Sequence, residues 1–106
     1  MPKYLVKATY KTEGVRGLAK EGGSARVEAV SKLTKKLGGK VEAFYFAFGE
    51  CDAYLIVDVP DEATVLALSV AVNATGAVGL QLVPLISAKT MDEATKKSVP
   101  YRAPGA

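Results

Sequence analysis

Two tyrosines and an aspartate in the middle of the chain are the side chains best suited to chemistry. Tyr45 precedes the turn-forming sequence Gly-Glu-Cys-Asp at residues 49–52, and Tyr54 and Asp58 follow it. The flanking segments are rich in aromatic and β-branched residues, which predicts a β-hairpin. Because side chains alternate along a strand, these three residues share a face, and Lys7 and Thr9 of the first strand are predicted to join them. Such groups can bind a small molecule or exchange protons.

Each of these predicted ligand-binding residues also has an ordinary structural interpretation. Asp58 and Lys7 form either a cross-strand ion pair, which we favour, or the polar end of a pocket. Tyr45 and Tyr54 either bury their rings at a dimer interface or line a ligand cavity. If the chain is an enzyme, Asp58 is the candidate general base, and Tyr45 or Tyr54 is the candidate hydrogen-bond donor to an oxyanion.

The turn at residues 49–52 is predicted to be structural. Gly49 is expected to supply a positive φ angle, and Asp52 is expected to hydrogen-bond the turn backbone. Cys51 has no histidine to activate it as a nucleophile, because the chain contains none. With no histidine, one cysteine and no acidic cluster, the sequence argues against a metal or haem site, and no cofactor is expected.

Composition indicates one ordered domain over residues 1–106. The length suffices for one hydrophobic core, and 49% hydrophobic residues with a mean hydropathy of +0.15 favour oligomerisation. The net charge of +3 is modest and the basic residues are scattered, which argues against nucleic acid as a partner. The absence of a signal-peptide pattern and the single cysteine lead us to expect a cytoplasmic location.

Residues 63–88 carry no charge and are long enough to raise the question of a membrane span. The apolar pattern changes, however, from helical to strand-like spacing across residues 73–76. Gln81 and Pro84 then interrupt the second half. No membrane association is therefore expected.

The first half of the chain predicts a strand followed by helices. Polar and apolar residues alternate over residues 3–10, as in a strand. Thr12 offers a helix N-cap, and the paired glycines at 22–23 predict a break before a long helix that starts at Ser24. A second pair of glycines, at 38–39, ends that helix.

The second half predicts a matching set of elements after the hairpin. Asp61 caps a helix that reaches about Asn73, and a strand follows at about residues 78–86. A capping box at residues 90–93 opens a short last helix, and the tail at 99–106 is expected to be extended. The order β-α-β-β-α-β predicts an α+β, ferredoxin-like fold with a short C-terminal helix.

The two faces of the predicted hairpin differ in character. A two- or four-residue turn would pair Phe46 with Leu55 and place Phe44, Phe46 and Phe48 under the helices. Phe46 is then expected to pack against Leu66 and Val30. The opposite face has no cover within one chain and is too apolar to remain wet, so we expect a homodimer, or a higher oligomer, that buries sheet against sheet.

The helix after Asp61 carries two apolar stripes. The inner stripe is predicted to consist of Ala63, Leu66, Ala67, Val70 and Ala74. The second stripe, Val65, Leu68 and Val72, then needs another cover. We expect the segment at residues 90–104 to fold back over it, within the chain or on a partner.

Several segments together resemble the GYD domain family, small proteins of the dimeric α/β-barrel superfamily. The resemblance is carried by PKYLVKATY, EGGSARVEAV, GGKVEAFYFAFGECDAYLIVDVPD, ALSVAVNATGAV and SVPYRAPG. It implies a dimeric α/β barrel but no general activity. Where such proteins usually read Gly-x-Tyr-Asp, this chain has Cys51, so a role of that tyrosine hydroxyl does not transfer, whereas Gly49 and Asp52 match.

Two functional hypotheses follow from these observations. The first is a homodimer that binds a small, partly apolar molecule between sheet and helices or at the dimer barrel. The second is a cofactor-independent enzyme, resembling the oxygenases and isomerases of related barrels, that acts on a small aromatic or lactone substrate. A general base at Asp58 requires a raised pKa in a closed cavity, whereas a structural carboxylate is paired or exposed.

Overall fold

The structure, a computed structural model, describes all residues 1–106 and has the predicted order of elements, with the first helical region divided in two. The elements are β1 (Lys3–Tyr10), α1 (Thr12–Glu21), α2 (Gly23–Lys36), β2 (Lys40–Phe46), β3 (Ala53–Asp58), α3 (Glu62–Ala74), β4 (Val78–Leu85) and α4 (Ala88–Thr95). The four strands form one antiparallel sheet in the order β2-β3-β1-β4. This order is consistent with the predicted ferredoxin-like α+β fold.

The core lies between the sheet and the helices. Its side chains come from alternate positions of β1 and β3, with contributions from β4, α3 and the segment after β3. The buried cluster consists of Tyr4, Val6, Ala8, Ala53, Leu55, Val57, Val59, Val65 and Val78. Alternation along the strands therefore separates a helix-covered face from an open face, as the sequence predicted.

The hairpin has the predicted faces but a different register. Phe44 pairs with Leu55 and Phe46 with Ala53, two positions away from the expected pairing. The connection is a six-residue loop, 47–52, in which the Ala47 amide donates to the Asp52 carbonyl at 2.8 Å and so continues the observed register by one residue pair. Phe48 consequently lies in the loop, fully exposed, and its predicted place in the core is wrong.

A glycine divides the first helical region, as predicted. Gly22 has φ 85°, a left-handed value that favours glycine, and it separates α1 from α2. Gly23 begins α2 directly against the Phe46 ring, where an added Cβ would come within 3.0 Å of a ring carbon. Phe46 thus packs under the start of α2 at the edge of the core, and its predicted contact with Leu66 is wrong because Leu66 is 50% exposed.

Helix α3 is rotated relative to the predicted orientation. Val65 and Leu68 are buried against the sheet, whereas Leu66 and Val70 face outward, 50% and 68% exposed. The Asp61 cap is confirmed, since its carboxylate accepts from the Thr64 amide at 2.8 Å. The helix is apolar on most of its circumference. The sequence therefore predicted where the helix starts but not which face it buries.

The C-terminal segment, residues 86–106, projects from the body of the molecule, and every residue in it is exposed. Helix α4 begins earlier than predicted, because Ser87 is its N-cap and accepts from the Thr90 amide at 3.1 Å. The segment does not fold back over α3 of its own chain, so the own-chain form of that expectation is wrong. The radius of gyration is therefore 17.1 Å, against about 13 Å for a compact domain of this length.

Truncation of a buried core side chain is expected to lower the free energy of unfolding more than truncation at the edge of the core. Leu55→Ala, at a position 6% exposed, is expected to destabilise the fold by about 2–5 kcal/mol because it leaves a cavity under the helices. Phe46→Ala, at 41% exposure, is expected to cost about 1–2 kcal/mol, since solvent already reaches the ring. Urea unfolding measures both values, and equal costs would contradict this assignment of core and edge.

Candidate functional site

The open face of the sheet carries the residues predicted to bind a ligand. Lys7 lies directly opposite Tyr54, and Tyr54 lies opposite Tyr45, so the three side chains form a row across β1, β3 and β2. Thr9 is exposed two residues further along β1, and Tyr45 is 73% exposed. The structure therefore brings Lys7, Tyr45 and Tyr54 together and places Asp58 at the far end of the same face.

Asp58 forms ion pairs with lysines other than the predicted Lys7. Its carboxylate accepts from the Lys3 ammonium at 2.7 Å and lies 3.9 Å from that of Lys40. Lys7 is instead 3.7 Å from the Glu50 carboxylate in the hairpin loop. Lys3 is the register partner of Asp58, and Lys7 lies four residues further along β1, so the expected pair of Asp58 with Lys7 is corrected.

The environment of Asp58 favours its ionised form. The hydrogen bond from Lys3 lowers the pKa of Asp58, and the same contact, together with the Glu42 carboxylate at 2.7 Å, raises the pKa of Lys3. Lowering the pKa of a carboxylate weakens it as a base. The geometry thus fits a structural carboxylate better than the candidate general base.

The hairpin loop is fixed to β1 through Asp52. Its carboxylate accepts from the Tyr10 amide at 2.7 Å, and its own amide donates to the Ala8 carbonyl at 2.9 Å. Asp52 therefore accepts a hydrogen bond from a backbone amide, as predicted, but the donor belongs to strand β1 and not to the turn. The expected positive φ angle of Gly49 is wrong, because this residue is not among the glycines with positive φ.

Cys51 is buried in the hairpin loop, close to Tyr54. Interaction with the nearby Cys51 side chain raises the pKa of Tyr54, and partial burial of the phenol adds to this effect. Tyr54 therefore keeps its hydroxyl proton at neutral pH and remains a possible hydrogen-bond donor.

A cleft lies on the opposite, helix-covered side of the sheet. The sequence predicted a pocket between sheet and helices but did not identify the residues that line it. The cleft opens between α2 and α3 above the sheet, has a free volume of about 60 Å³, and is lined by 14 residues of which 12 are hydrophobic. The lining consists of Val6, Ala8, Tyr10, Arg26, Val30, Leu33, Thr34, Phe44, Leu55, Val57, Leu68, Val72, Val78 and Leu80. A single water needs roughly 10–15 Å³ by this measure and a cavity that binds benzene has about 150 Å³, so the cleft itself has room for a short apolar group, and a larger ligand would extend into the space beside it.

One end of this cleft is polar. Arg26 and Tyr10 line both the cleft and a wider adjoining groove of about 520 Å³ beside α1. Burial raises the pKa of Tyr10, and the nearby Arg26 guanidinium opposes this effect. The spacing of Arg26, Val30 and Leu33 is helical, i, i+4 and i+7, so a cation on the inner stripe of α2 was the sequence signal for this site.

No group of three or more aspartate, glutamate, cysteine or histidine side chains lies together in a way that could hold a metal ion. None of the helices combines the length and the apolar character needed to cross a bilayer.

This geometry defines a class of protein: a small α+β domain with one antiparallel sheet and helices on one face. Its Gly-x-x-Asp loop is hydrogen-bonded to the neighbouring strand. The family model of the GYD domain matches residues 4–95. The chain therefore belongs to the GYD domain family. Comparisons with curated proteins and with solved structures gave no match.

The pairing of Asp58 predicts how stability depends on pH. Since the pKa of Asp58 is lowered on folding, its contribution is present above the ordinary value of about 3.8 and is lost as the pH falls through its folded pKa. Unfolding by urea between about pH 5 and pH 2 should show a smaller loss of stability in Asp58→Asn than in the wild type. Asp92→Asn, on the projecting segment, is the control and should lose stability as the wild type does. Equal losses in all three proteins would contradict the role of the pair.

Proposed function

We propose that this GYD-domain protein is a homodimer that binds a small, partly apolar molecule in the cleft between the sheet and the helices. The observation that carries the proposal is the cleft itself, an apolar space bordered at one end by Arg26 and Tyr10. Small-molecule sites are typically concave and mostly apolar, with a few polar groups that orient the ligand.

The cleft is open to solvent, which supports a ligand-binding site over a packing defect in the core. Leu33 at its rim is 42% exposed, and Val72 on the facing helix is half-buried, so the two helices do not close over the sheet. The inner wall is formed by well-buried strand residues, among them Val6 and Leu55. A rigid floor with an open rim is suited to ligand entry without unfolding.

The exposed area of the chain supports assembly. A folded monomer of 11.1 kDa exposes about 5,700 Å², whereas this chain exposes 7444 Å². The excess of about 1,700 Å² is larger than the roughly 800 Å² that each partner contributes to a standard interface. A second copy is a natural occupant of such a surface because symmetric dimers are the commonest oligomers.

The open sheet face is suited to that interface. Leu5, Ile56 and Val83 form an apolar row across β1, β3 and β4, next to the row of Lys7 and Tyr54. The charges at one end are already compensated within the chain, since Lys3 bonds both Asp58 and Glu42. Burial of this face against its symmetry mate would therefore leave few unpaired charges, and the projecting segment could pack on the partner.

The enzymatic alternative, a cofactor-independent oxygenase or isomerase, has weaker support. It requires Asp58 as a base, but the pKa of Asp58 is lowered and its carboxylate is engaged by Lys3. Tyr54 retains a proton that could be donated, yet donation alone is equally suited to ligand binding.

Assembly through the open face predicts the effect of a charge at its centre. Native mass spectrometry of freshly purified protein should show at least twice the chain mass of 11.1 kDa, together with any co-purified molecule. Ile56→Glu should yield monomers, because a carboxylate would be buried without a partner. Val70→Glu, on the outer face of α3, is the matched control and should remain dimeric. A wild-type monomer at micromolar concentration, or a dimeric Ile56→Glu variant, would refute the sheet-to-sheet dimer.

Ligand binding predicts the effect of blocking the rim of the cleft. The neutral probe 4-phenyl-1-butanol should bind the wild type with one molecule per chain in isothermal titration calorimetry. Leu33→Trp should weaken binding about tenfold or more, a change of about 1.4 kcal/mol or more, because the larger ring occupies the entrance.

Leu66→Trp is the control for this test, since it makes the same change at an exposed position on the outer face of α3. It should bind the probe as the wild type does. No binding by the wild type, or equal binding by both tryptophan variants, would show that the cleft is not the site.

A further inference from the structure

We propose that the molecule bound in the cleft is a monoanion with an apolar body, whose carboxylate is held by Arg26 and Tyr10. This inference rests on the proposed function and adds the chemical class of the ligand. The geometry that carries it is the position of one cation where an apolar cleft meets a wider, open groove.

Arg26 is placed at the boundary between two environments. It lines the apolar cleft together with Val30 and Leu33, and it also lines the groove beside α1. Its side chain is 34% exposed, so the guanidinium is neither fully solvated nor buried. A ligand whose apolar part lies in the cleft would therefore present its polar head to this guanidinium.

The guanidinium of Arg26 interacts with the Tyr10 hydroxyl but has no carboxylate within hydrogen-bond distance. Its carboxylate neighbour, Glu21, is 4.0 Å away, which is beyond hydrogen-bond distance. By contrast, Lys3 on the open face bonds two carboxylates at 2.7 Å each. Arg26 is thus the lining cation with donors available for a ligand.

The neighbours of Arg26 indicate the kind of anion. A guanidinium binds a carboxylate through two parallel hydrogen bonds, and the protonated Tyr10 hydroxyl could donate a third. The Asp52 carboxylate accepts from the Tyr10 amide at 2.7 Å and keeps its negative charge near the Tyr10 hydroxyl. Glu21 beside Arg26 would repel a second negative charge, which favours a monoanion over a phosphate dianion.

Three probes with the same apolar body test the charge preference. They are 4-phenylbutyrate, 4-phenyl-1-butanol and 4-phenylbutylamine, an anion, a neutral molecule and a cation. Calorimetry with the wild-type protein should give the tightest binding for the anion, by about tenfold over the alcohol. The amine should bind more weakly than the alcohol, because it meets Arg26.

Three substitutions at Arg26 and Glu21 test the roles of these two residues. Arg26→Gln should weaken phenylbutyrate about tenfold more than it weakens the alcohol, and Arg26→Lys should have an intermediate effect because it keeps the charge but not the paired donors. Glu21→Gln should strengthen phenylbutyrate binding, since it removes the competing carboxylate. Arg16→Gln, an exposed arginine on α1 paired with Glu13, is the control and should leave the anion preference unchanged.

The outcomes separate the inference from the proposed function. Equal binding of anion and alcohol, both lost in Leu33→Trp, would overturn the carboxylate preference and keep the cleft as the site. An anion preference that survives Arg26→Gln would also overturn the inference. Failure of all three probes to bind would refute the proposed function itself.

Discussion

The hydrogen bond from the Tyr10 amide to the Asp52 carboxylate is the interaction on which both candidate sites depend. At 2.7 Å it joins the end of β1 to the hairpin loop, and the Asp52 amide completes the connection at the Ala8 carbonyl. On one side of the sheet, this attachment places Cys51 against Tyr54. On the other side it fixes the strand end from which Tyr10 reaches the cleft. Loss of this carboxylate would leave a backbone donor unsatisfied and release the loop.

Short-range signals in the sequence were sufficient for most of the fold. Alternation located β1, the glycine at position 22 located the break between helices, and Asp61 located the start of α3. Each of these features depends on a local physical cause: strand geometry, a left-handed backbone or a capping hydrogen bond. The order of elements, and with it the sheet topology, followed from these local signals.

Features that depend on packing could not be read in the same way. Helix α3 is apolar around most of its surface, so its sequence pattern does not identify the buried face. Packing against the sheet buries Val65 and Leu68 and leaves Leu66 exposed. The hairpin register differs from the predicted one, and the loop residue Asp52 bonds across to β1, a long-range contact that strand alternation does not reveal. The predicted shared face of Lys7, Tyr54 and Tyr45 is present, whereas their alignment in one row and the partner of Asp58 depended on the register. The polar end of the cleft was visible only as an arginine on a helical stripe.

The two outer strands of the sheet carry features that oppose pairing along their edges. Strand β2 has a register irregularity between Val41 and Ala43, and strand β4 contains Pro84, which has no amide proton. A bulge distorts an edge and a proline removes a donor, and both are known protections against the addition of another strand. The sheet is therefore poorly suited to growth into a continuous fibre-like ladder. In the dimer proposed above, copies would associate instead through the open face, where a two-fold contact closes on itself and stops.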